Sequence, residues 1–208
     1  MVLPTRCERR EPAHRRTIEV QAFLRADGLW ELEAQLRDLK PRDWVLSTGE
    51  VRAVGQPIHD LFLRLHVQDD GVIVQSGSMS QWVPHPGYCE FGQDDDPYQA
   101  LVGLNLLRDF RRQSLQRLVG VRGCTHLTEL AQTLPTALIQ AQVERRRAAQ
   151  SDPAREPQRP FQIDRCHALR ADGEVVRLHH PRWYRQPDAK NGEHNVELAV
   201  TAGARSQT

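Results

Sequence analysis

Two stretches near the start of the chain alternate apolar and polar residues, which is the period of a strand with one buried face. The first stretch is Thr17–Arg25 and the second is Leu29–Arg37, with Ala26-Asp27-Gly28 between them. An Asp-Gly turn flanked by two alternating stretches is typical of a β-hairpin. The pattern therefore predicts an antiparallel hairpin at the start of the folded part of the chain.

The same arrangement recurs twice farther along. Asp60–Val67 predicts a third strand, which turns at Asp69-Asp70-Gly71 and pairs with a fourth strand at Val72–Ser76. Near the C-terminal end, Phe161–Leu178 contains apolar groups on both sides of Asp172-Gly173, which predicts another hairpin.

Between these hairpins the apolar residues follow the period of helices. Pro97, after an aspartate cap, predicts a short helix that ends at Gly103, and a second helix covers about residues 108–118. From Thr125 to Ile139 apolar residues recur at helical spacing, and Pro135 should kink or restart that helix. The predicted fold class is α+β, an antiparallel sheet of hairpins covered by helices.

The size of the chain predicts one main domain with extensions. A chain of 208 residues can bury one substantial core. We expect a core domain at 15–148, a linker at 149–160 and a C-terminal hairpin extension at 161–185 that packs on the core. The ends, 1–14 and 186–208, are rich in charged and polar residues, and we expect them to be disordered.

Charge and hydropathy exclude several classes of partner. The chain has 28 basic and 27 acidic residues, so it has no overall field that attracts nucleic acid or an anionic membrane. No apolar run reaches the ~20 residues that cross a bilayer, and the N-terminal residues lack a secretory signal. We expect a cytoplasmic protein, in which four cysteines are free thiols or metal ligands rather than disulfides.

A cysteine and a histidine, Cys124 and His126, stand where the helix after Gly123 begins. A helix N-terminus lowers the pKa of a thiol, and the resulting thiolate can attack an electrophile or bind a metal. Two positions of separation place the side chains roughly 200° apart around a helix axis, so they would have to meet through the helix cap. A buried cysteine without function is the competing interpretation.

Further metal-binding groups stand at the ends of other predicted elements. His59 and Asp60 lie where a loop enters a strand, and Cys89 lies in a loop rich in proline and glycine. Zinc needs about four such donors, although no two cysteines here form a Cys-x-x-Cys unit. Cys166 and His167 are weaker candidates, because neighbours on a strand point to opposite faces. The predicted metal ligands are His59, Asp60, Cys89, Cys124 and His126.

Five short blocks and the segment Cys166–Gly173 resemble the bacterial domain-of-unknown-function family 2889. The resemblance covers most of the chain and implies no activity. The blocks are Asp27-Gly28-Leu29-Trp30, Asp38-Leu39-Lys40-Pro41, Pro57-Ile58-His59-Asp60, Leu101-Val102-Gly103 and Gly123-Cys124-Thr125-His126-Leu127.

The order of features from Gly55 to Leu138 is more distantly similar to the U-type iron–sulfur cluster assembly scaffold. Cys89 matches the second cysteine of that scaffold and Cys124 its last, while His59-Asp60 stands where the scaffold has its first cysteine. This resemblance implies the scaffold fold with an added hairpin at each end. Clusters are normally held by thiolates, so the mixed donors here suit a single zinc or iron ion better.

Three functions therefore remain open. The chain is a non-enzymatic metal-binding domain, a cysteine-dependent enzyme, or an accessory protein without an active centre. In the enzyme, Cys124 is the nucleophile, His126 or His59 the base and Asp60 the orienting group. The accessory protein docks a partner protein through arginines 145–147 and its C-terminal tail.

No Walker loop, dinucleotide glycine fingerprint or zincin motif is present, so we expect no nucleotide cofactor. The metal-binding function is the one we favour.

Overall fold

A computed structural model describes residues 3, 4, 6, 8–92, 94–150, 158–160 and 162–187, without the side chains of 149 and 150. The chain divides into two units, Met1–Arg147 and Ala148–Thr208. Most of the predicted linker at 149–160 lies outside the described residues, as do Cys7 and nearly all of the predicted disordered end at 186–208.

A four-stranded antiparallel sheet forms the centre of the first unit, in the order β1-β2-β5-β6. A separate small hairpin, β3–β4, lies in the connection between β2 and β5. The two hairpins predicted in this part of the chain are confirmed, and each of their four strands extends farther than predicted at one of its ends. The strands are β1 (Arg15–Leu24), β2 (Trp30–Leu39), β3 (Trp44–Val45), β4 (Val51–Arg52), β5 (Pro57–Val67) and β6 (Ile73–Trp82).

Helices pack against the strands on one side of this sheet. Pro135 lies in the first turn of a helix, where its missing N–H has no bond to lose, so the long predicted helix is restarted at this point. Among the described residues, no helix has the length and apolar composition needed to span a bilayer. The helices of the first unit are α1 (Phe110–Leu118), α2 (Thr125–Ala131), α3 (Leu134–Ala141) and α4 (Val143–Gln150), and a 3-10 turn covers Pro97–Leu101.

The core lies between the sheet and helices α1 to α3. Alternate residues of β2 and β5 point into it, because successive strand residues face opposite sides of a sheet. The buried series on β2 is Trp30, Leu32, Ala34 and Leu36, and that on β5 is Val67, Leu65, Leu63 and Leu61. Two residues beyond Leu36, the series on β2 reaches Asp38, and two residues before Leu61, the series on β5 reaches His59. Both residues therefore lie on the covered face, at the end of the core.

The second unit contains a helix where the sequence predicts a hairpin. Helix α5 spans Glu174–His179, and the described residues from 162 to 187 include no strand, so the predicted C-terminal hairpin is wrong. Glu174 in the first turn and Arg177 in the last interact favourably with the helix dipole. Val176 is buried in a small core with Ile163 and Ala171. A pair of valines fits a short helix as well as a strand, so periodicity alone does not separate the two.

Candidate functional site

Three polar residues form a row across the sheet at the end of its apolar face. Arg16 on β1 is the cross-strand partner of Asp38 on β2, and Asp38 is the partner of His59 on β5. Directly opposite residues on neighbouring strands have Cβ atoms about 4.5–5.5 Å apart, so the register brings these side chains into contact. The row places a charged cluster on the side of the sheet that the helices cover.

The carboxylate of Asp38 is the centre of this row and is only 2% exposed. Its Oδ1 accepts from Arg16 Nε at 2.8 Å and lies 3.1 Å from His14 Nε2. Its Oδ2 accepts from Arg16 Nη2 at 2.8 Å and lies 3.0 Å from His59 Nδ1. Burial works to raise the pKa of Asp38, but the bonds and charge of Arg16 outweigh it, and the pKa falls below its ordinary value. The carboxylate is therefore ionised.

An ionised carboxylate only accepts hydrogen bonds, so Nδ1 of His59 carries the proton that faces Asp38. This bond fixes the tautomer of His59 and turns Nε2 away from the carboxylate. The arrangement matches the carboxylate–histidine pairs in which the acid orients a metal-binding imidazole.

The first turn of α2 supplies the other half of the site. Cys124 is the N-cap residue of this helix, and its Sγ lies 3.9 Å from Nδ1 of His126. The carbonyl oxygen of Cys124 accepts from the N–H of Thr128 at 2.9 Å and from the hydroxyl of buried Tyr98 at 2.7 Å. The cysteine and the histidine thus meet through the helix cap, and Tyr98 holds that cap in place.

The thiol and the imidazole shift each other's pKa. Burial works to raise the pKa of Cys124, but the bond from His126 and the nearby N–H groups of Leu127 and His126 lower it below its ordinary value. These N–H groups approach the sulfur without forming a regular cap bond. The bond to Cys124 raises the pKa of His126, and partial burial opposes the shift only in part. Both shifts favour a thiolate–imidazolium pair.

The two halves of the site meet where His59 stacks on His126. The ring centroids are 4.0 Å apart and the planes are tilted by 35°. Asp38, His59 and His126 each offer one donor atom, and these three atoms lie within 4.8 Å of one another. Burial, together with the positive charge of His126, lowers the pKa of His59 despite Asp38, so His59 is a neutral imidazole able to bind a metal.

The structure brings only some of the predicted ligands together. His126 contacts both His59 and Cys124, although the thiol of Cys124 is outside the group of three donor atoms that lie within 4.8 Å of one another. Asp60 points to the opposite face of the sheet. There its Oδ1 accepts from Gln35 at 2.6 Å, and its Oδ2 lies 3.2 Å from Arg37 Nε. The reason is the strand period, since adjacent residues on β5 cannot share one face.

Cys89 packs on the core near the site residues but is not one of the converging donors. It is half-buried and packs against the same hydrophobic core as Cys124. Burial raises the pKa of Cys89, and the charge of Cys124 contributes to the rise. Cys89 is outside the group of three convergent donors. The exposed Cys166 and neighbouring His167 belong to the second unit, where His167 begins a 3-10 turn.

Asp38 is the residue that the sequence prediction missed. Its signal was present, because Asp38 continues the buried series of β2 two positions after Leu36. An acidic residue on the apolar side of a strand requires a partner, and here the partners are Arg16 and two histidines. The sequence alone does not identify these partners, because they depend on the pairing of strands that are distant in sequence.

A groove lies on the other side of the sheet. It has a volume of about 740 Å³, and its lining includes Phe62, Arg64, His66 and Met79. Neither Cys124 nor His126 lines this groove. The Cys124–His126 pair therefore lies apart from this groove.

Comparison with known proteins gives one match. The family described as "Protein of unknown function (DUF2889)" matches residues 14–140, a range that contains Asp38, His59, Cys124 and His126. No curated protein and no solved structure matches the chain.

Proposed function

Because this chain belongs to the DUF2889 family, whose description names no activity, we propose from the site itself that it binds one zinc or iron ion. The observation that carries the proposal is the contact of His126 with both His59, at 4.0 Å between ring centroids, and the Cys124 thiol, at 3.9 Å. Beside this contact, donor atoms of Asp38, His59 and His126 lie within 4.8 Å of one another. Ligands at ~2.0–2.3 Å from a tetrahedral metal lie ~3.3–3.8 Å apart, so a small contraction brings such atoms to binding distance.

The residues divide into ligands and an orienting group. The four lone-pair positions of Asp38 already face Arg16, His14 and His59, so Asp38 acts through His59 rather than on the metal. His59, His126 and the thiolate of Cys124 are the ligands. We assign the fourth position to Cys89, whose thiol packs on the same core as Cys124.

Two nitrogen and two sulfur donors suit zinc, and iron in a similar site is the alternative. This donor set supports a single ion rather than a cluster held by thiolates. The likeness to U-type iron–sulfur scaffolds stays a prediction, as does docking of a partner through residues 145–147. Arg145 already lies 3.7 Å from Asp69 and over the ring of Trp30 within its own unit.

Metal analysis of protein purified without chelator tests this function. We expect about one zinc or iron per chain in the wild type, and a large loss in His59→Gln and His126→Gln. His66→Gln is the matched control, because His66 also lies on β5 and contacts a carboxylate, Glu31 at 2.8 Å, but faces the other side of the sheet. A wild type that contains no metal and whose Tm does not rise with added zinc would contradict the proposal.

A second function is favoured by the Cys124–His126 pair. In the metal-free protein the thiolate is primed to attack an acyl or disulfide electrophile, with His126 as the proton donor and acceptor. Mass spectrometry after exposure to an acyl thioester tests it, with exposed Cys166 as the internal reference. Selective acylation of Cys124, lost in His126→Gln, supports the enzyme; equal labelling of both cysteines opposes it.

A further inference from the structure

Strand β1 forms an open edge of the sheet. It pairs with β2 along all ten of its residues, without a bulge, and none of the described strands lies on its other side. Within the described part of the chain, the backbone groups of residues 16–24 form no hydrogen bond outside the ladder with β2. In an antiparallel edge strand, alternate residues point their N–H and C=O groups away from the sheet, so β1 presents a row of unpaired groups.

The opposite edge, β6, is closed by the chain itself. The N–H of Ile73 donates to the carbonyl of Leu104, and the N–H of Gly103 donates to the carbonyl of Ile73, both at 2.9 Å. Farther along, the N–H of Ser78 donates to the carboxylate of Asp96 at 2.6 Å. The β5–β6 pairing also contains two register shifts. Proteins protect edges with such devices, and β1 lacks them.

The side chains of β1 also favour a strand partner. The strand contains no proline and no lysine, and between Thr17 and Leu24 its only charge is Glu19. Three large apolar side chains on it are substantially exposed: Ile18 at 38%, Phe23 at 43% and Leu24 at 51%. A further strand along this edge would remove part of that apolar surface from water.

We propose that β1 pairs with β1 of a second copy of this chain, antiparallel and about a two-fold axis at Val20. The two four-stranded sheets then become one continuous sheet. A partner in antiparallel register must pair even positions with even positions, because a one-residue slip would exchange the covered and open faces. A register centred on Val20 satisfies this condition and pairs residues 16–24 completely.

This register is free of like charges directly opposite each other over residues 16–24. Glu19 faces Gln21 of the second copy on the open face, where an amide can donate to a carboxylate. On the covered face, Ile18 faces Ala22 of the second copy, and Val20 faces Val20 of the second copy. Moving the axis to Glu19 would place two glutamates opposite each other, which is unfavourable. An isologous contact of this kind closes as a dimer and does not continue into a filament.

Sedimentation equilibrium of the full chain over a range of concentrations tests the dimer. The wild type should be dimeric, whereas Val20→Lys and Val20→Glu should each be monomeric. An equal mixture of these two variants should restore the dimer, because lysine then faces glutamate. Val74→Lys is the matched control: Val74 is 38% exposed on the protected β6 edge, and its substitution should leave the dimer intact.

Val20 packs partly on the core, so a substitution at an exposed position of β1 is also needed. Gln21 is exposed, and Gln21→Glu should weaken association by roughly 2- to 30-fold by placing two glutamate pairs across the axis. Gln21→Lys should strengthen it by a similar factor. A wild type that is monomeric at every concentration overturns the proposal, as does a dimer that dissociates in Val74→Lys but not in folded Val20→Lys.

Discussion

The imidazole ring of His59 lies on that of His126, with ring centroids 4.0 Å apart. His59 belongs to the sheet and His126 to the first turn of α2, so the stack joins the two layers at one point. Asp38 holds His59 on one side, and Cys124 faces His126 on the other. A substitution of Asp38 can therefore alter the surroundings of the Cys124 thiol through the stacked rings of His59 and His126.

Replacing Asp38 should weaken metal binding without removing a ligand. In Asp38→Asn, His59 loses the ionised acceptor that fixes its tautomer, and we expect the zinc affinity to fall ~10–100-fold. Competition with a zinc chelator measures this change. Asp60→Asn is the matched control, because Asp60 is also a buried carboxylate beside an arginine on the same part of the sheet. An equal loss of affinity in both variants would show that Asp38 has no orienting role.

The thiol of Cys124 should react at a lower pH than an ordinary cysteine in the metal-free protein. Its pKa is lowered by His126 and by N–H groups of the helix start in spite of burial, so the thiolate persists to lower pH. The rate of alkylation by iodoacetamide, followed by peptide mass spectrometry, should inflect below the ordinary thiol pKa. His126→Gln should move the inflection upward. The same inflection in both proteins would contradict the thiolate–imidazolium pair.

The Asp38 network should make the fold sensitive to acid. Because the pKa of Asp38 is lowered in the folded chain, its ionised form stabilises the fold at pH values above the unfolded pKa of ~3.9. That contribution is lost as the pH falls through the folded pKa. At pH 7, Asp38→Asn should cost about 1–3 kcal/mol in free energy of unfolding, because Arg16 loses its buried acceptor but keeps its ion pair with Glu129. Urea titrations at several pH values should show the difference from wild type shrinking below pH ~4; a constant difference would refute this assignment.

Two hairpin glycines should respond differently to alanine. Gly28 and Gly71 both have positive φ, +84° and +94°, so each substitution forces a left-handed alanine at about 1–2 kcal/mol. A Cβ at Gly71 would also lie 2.8 Å from Asn105 Oδ1 and from Leu107 Cγ, whereas one at Gly28 meets nothing within 4 Å. Gly71→Ala should therefore cost about 1–3 kcal/mol more than Gly28→Ala in urea unfolding. Equal losses would mean that the segment between the 3-10 turn and α1, which contains Asn105 and Leu107, moves away without penalty.

Much of the fold of the first unit could be predicted from local pattern. The Asp-Gly turns and the alternation on both sides of them predict the two hairpins, and Pro135 predicts where one helix stops and the next begins. The prediction failed at Val175–Leu178, which lies in helix α5. That segment is short, and its apolar residues fit either period, so its small core decides its structure.

The sequence by itself determined which residues have metal-binding chemistry, and it placed His59, Cys124 and His126 at the ends of elements. It did not separate His59 from Asp60, both of which it predicted as ligands, because the predicted strand began at Asp60. The observed strand β5 begins at Pro57, so the two residues face opposite sides of the sheet. Only the tertiary structure decided that Asp38 is the carboxylate beside His59. That outcome depends on the register of β2 against β5, and residues 21 positions apart in the chain become neighbours only when those strands pair.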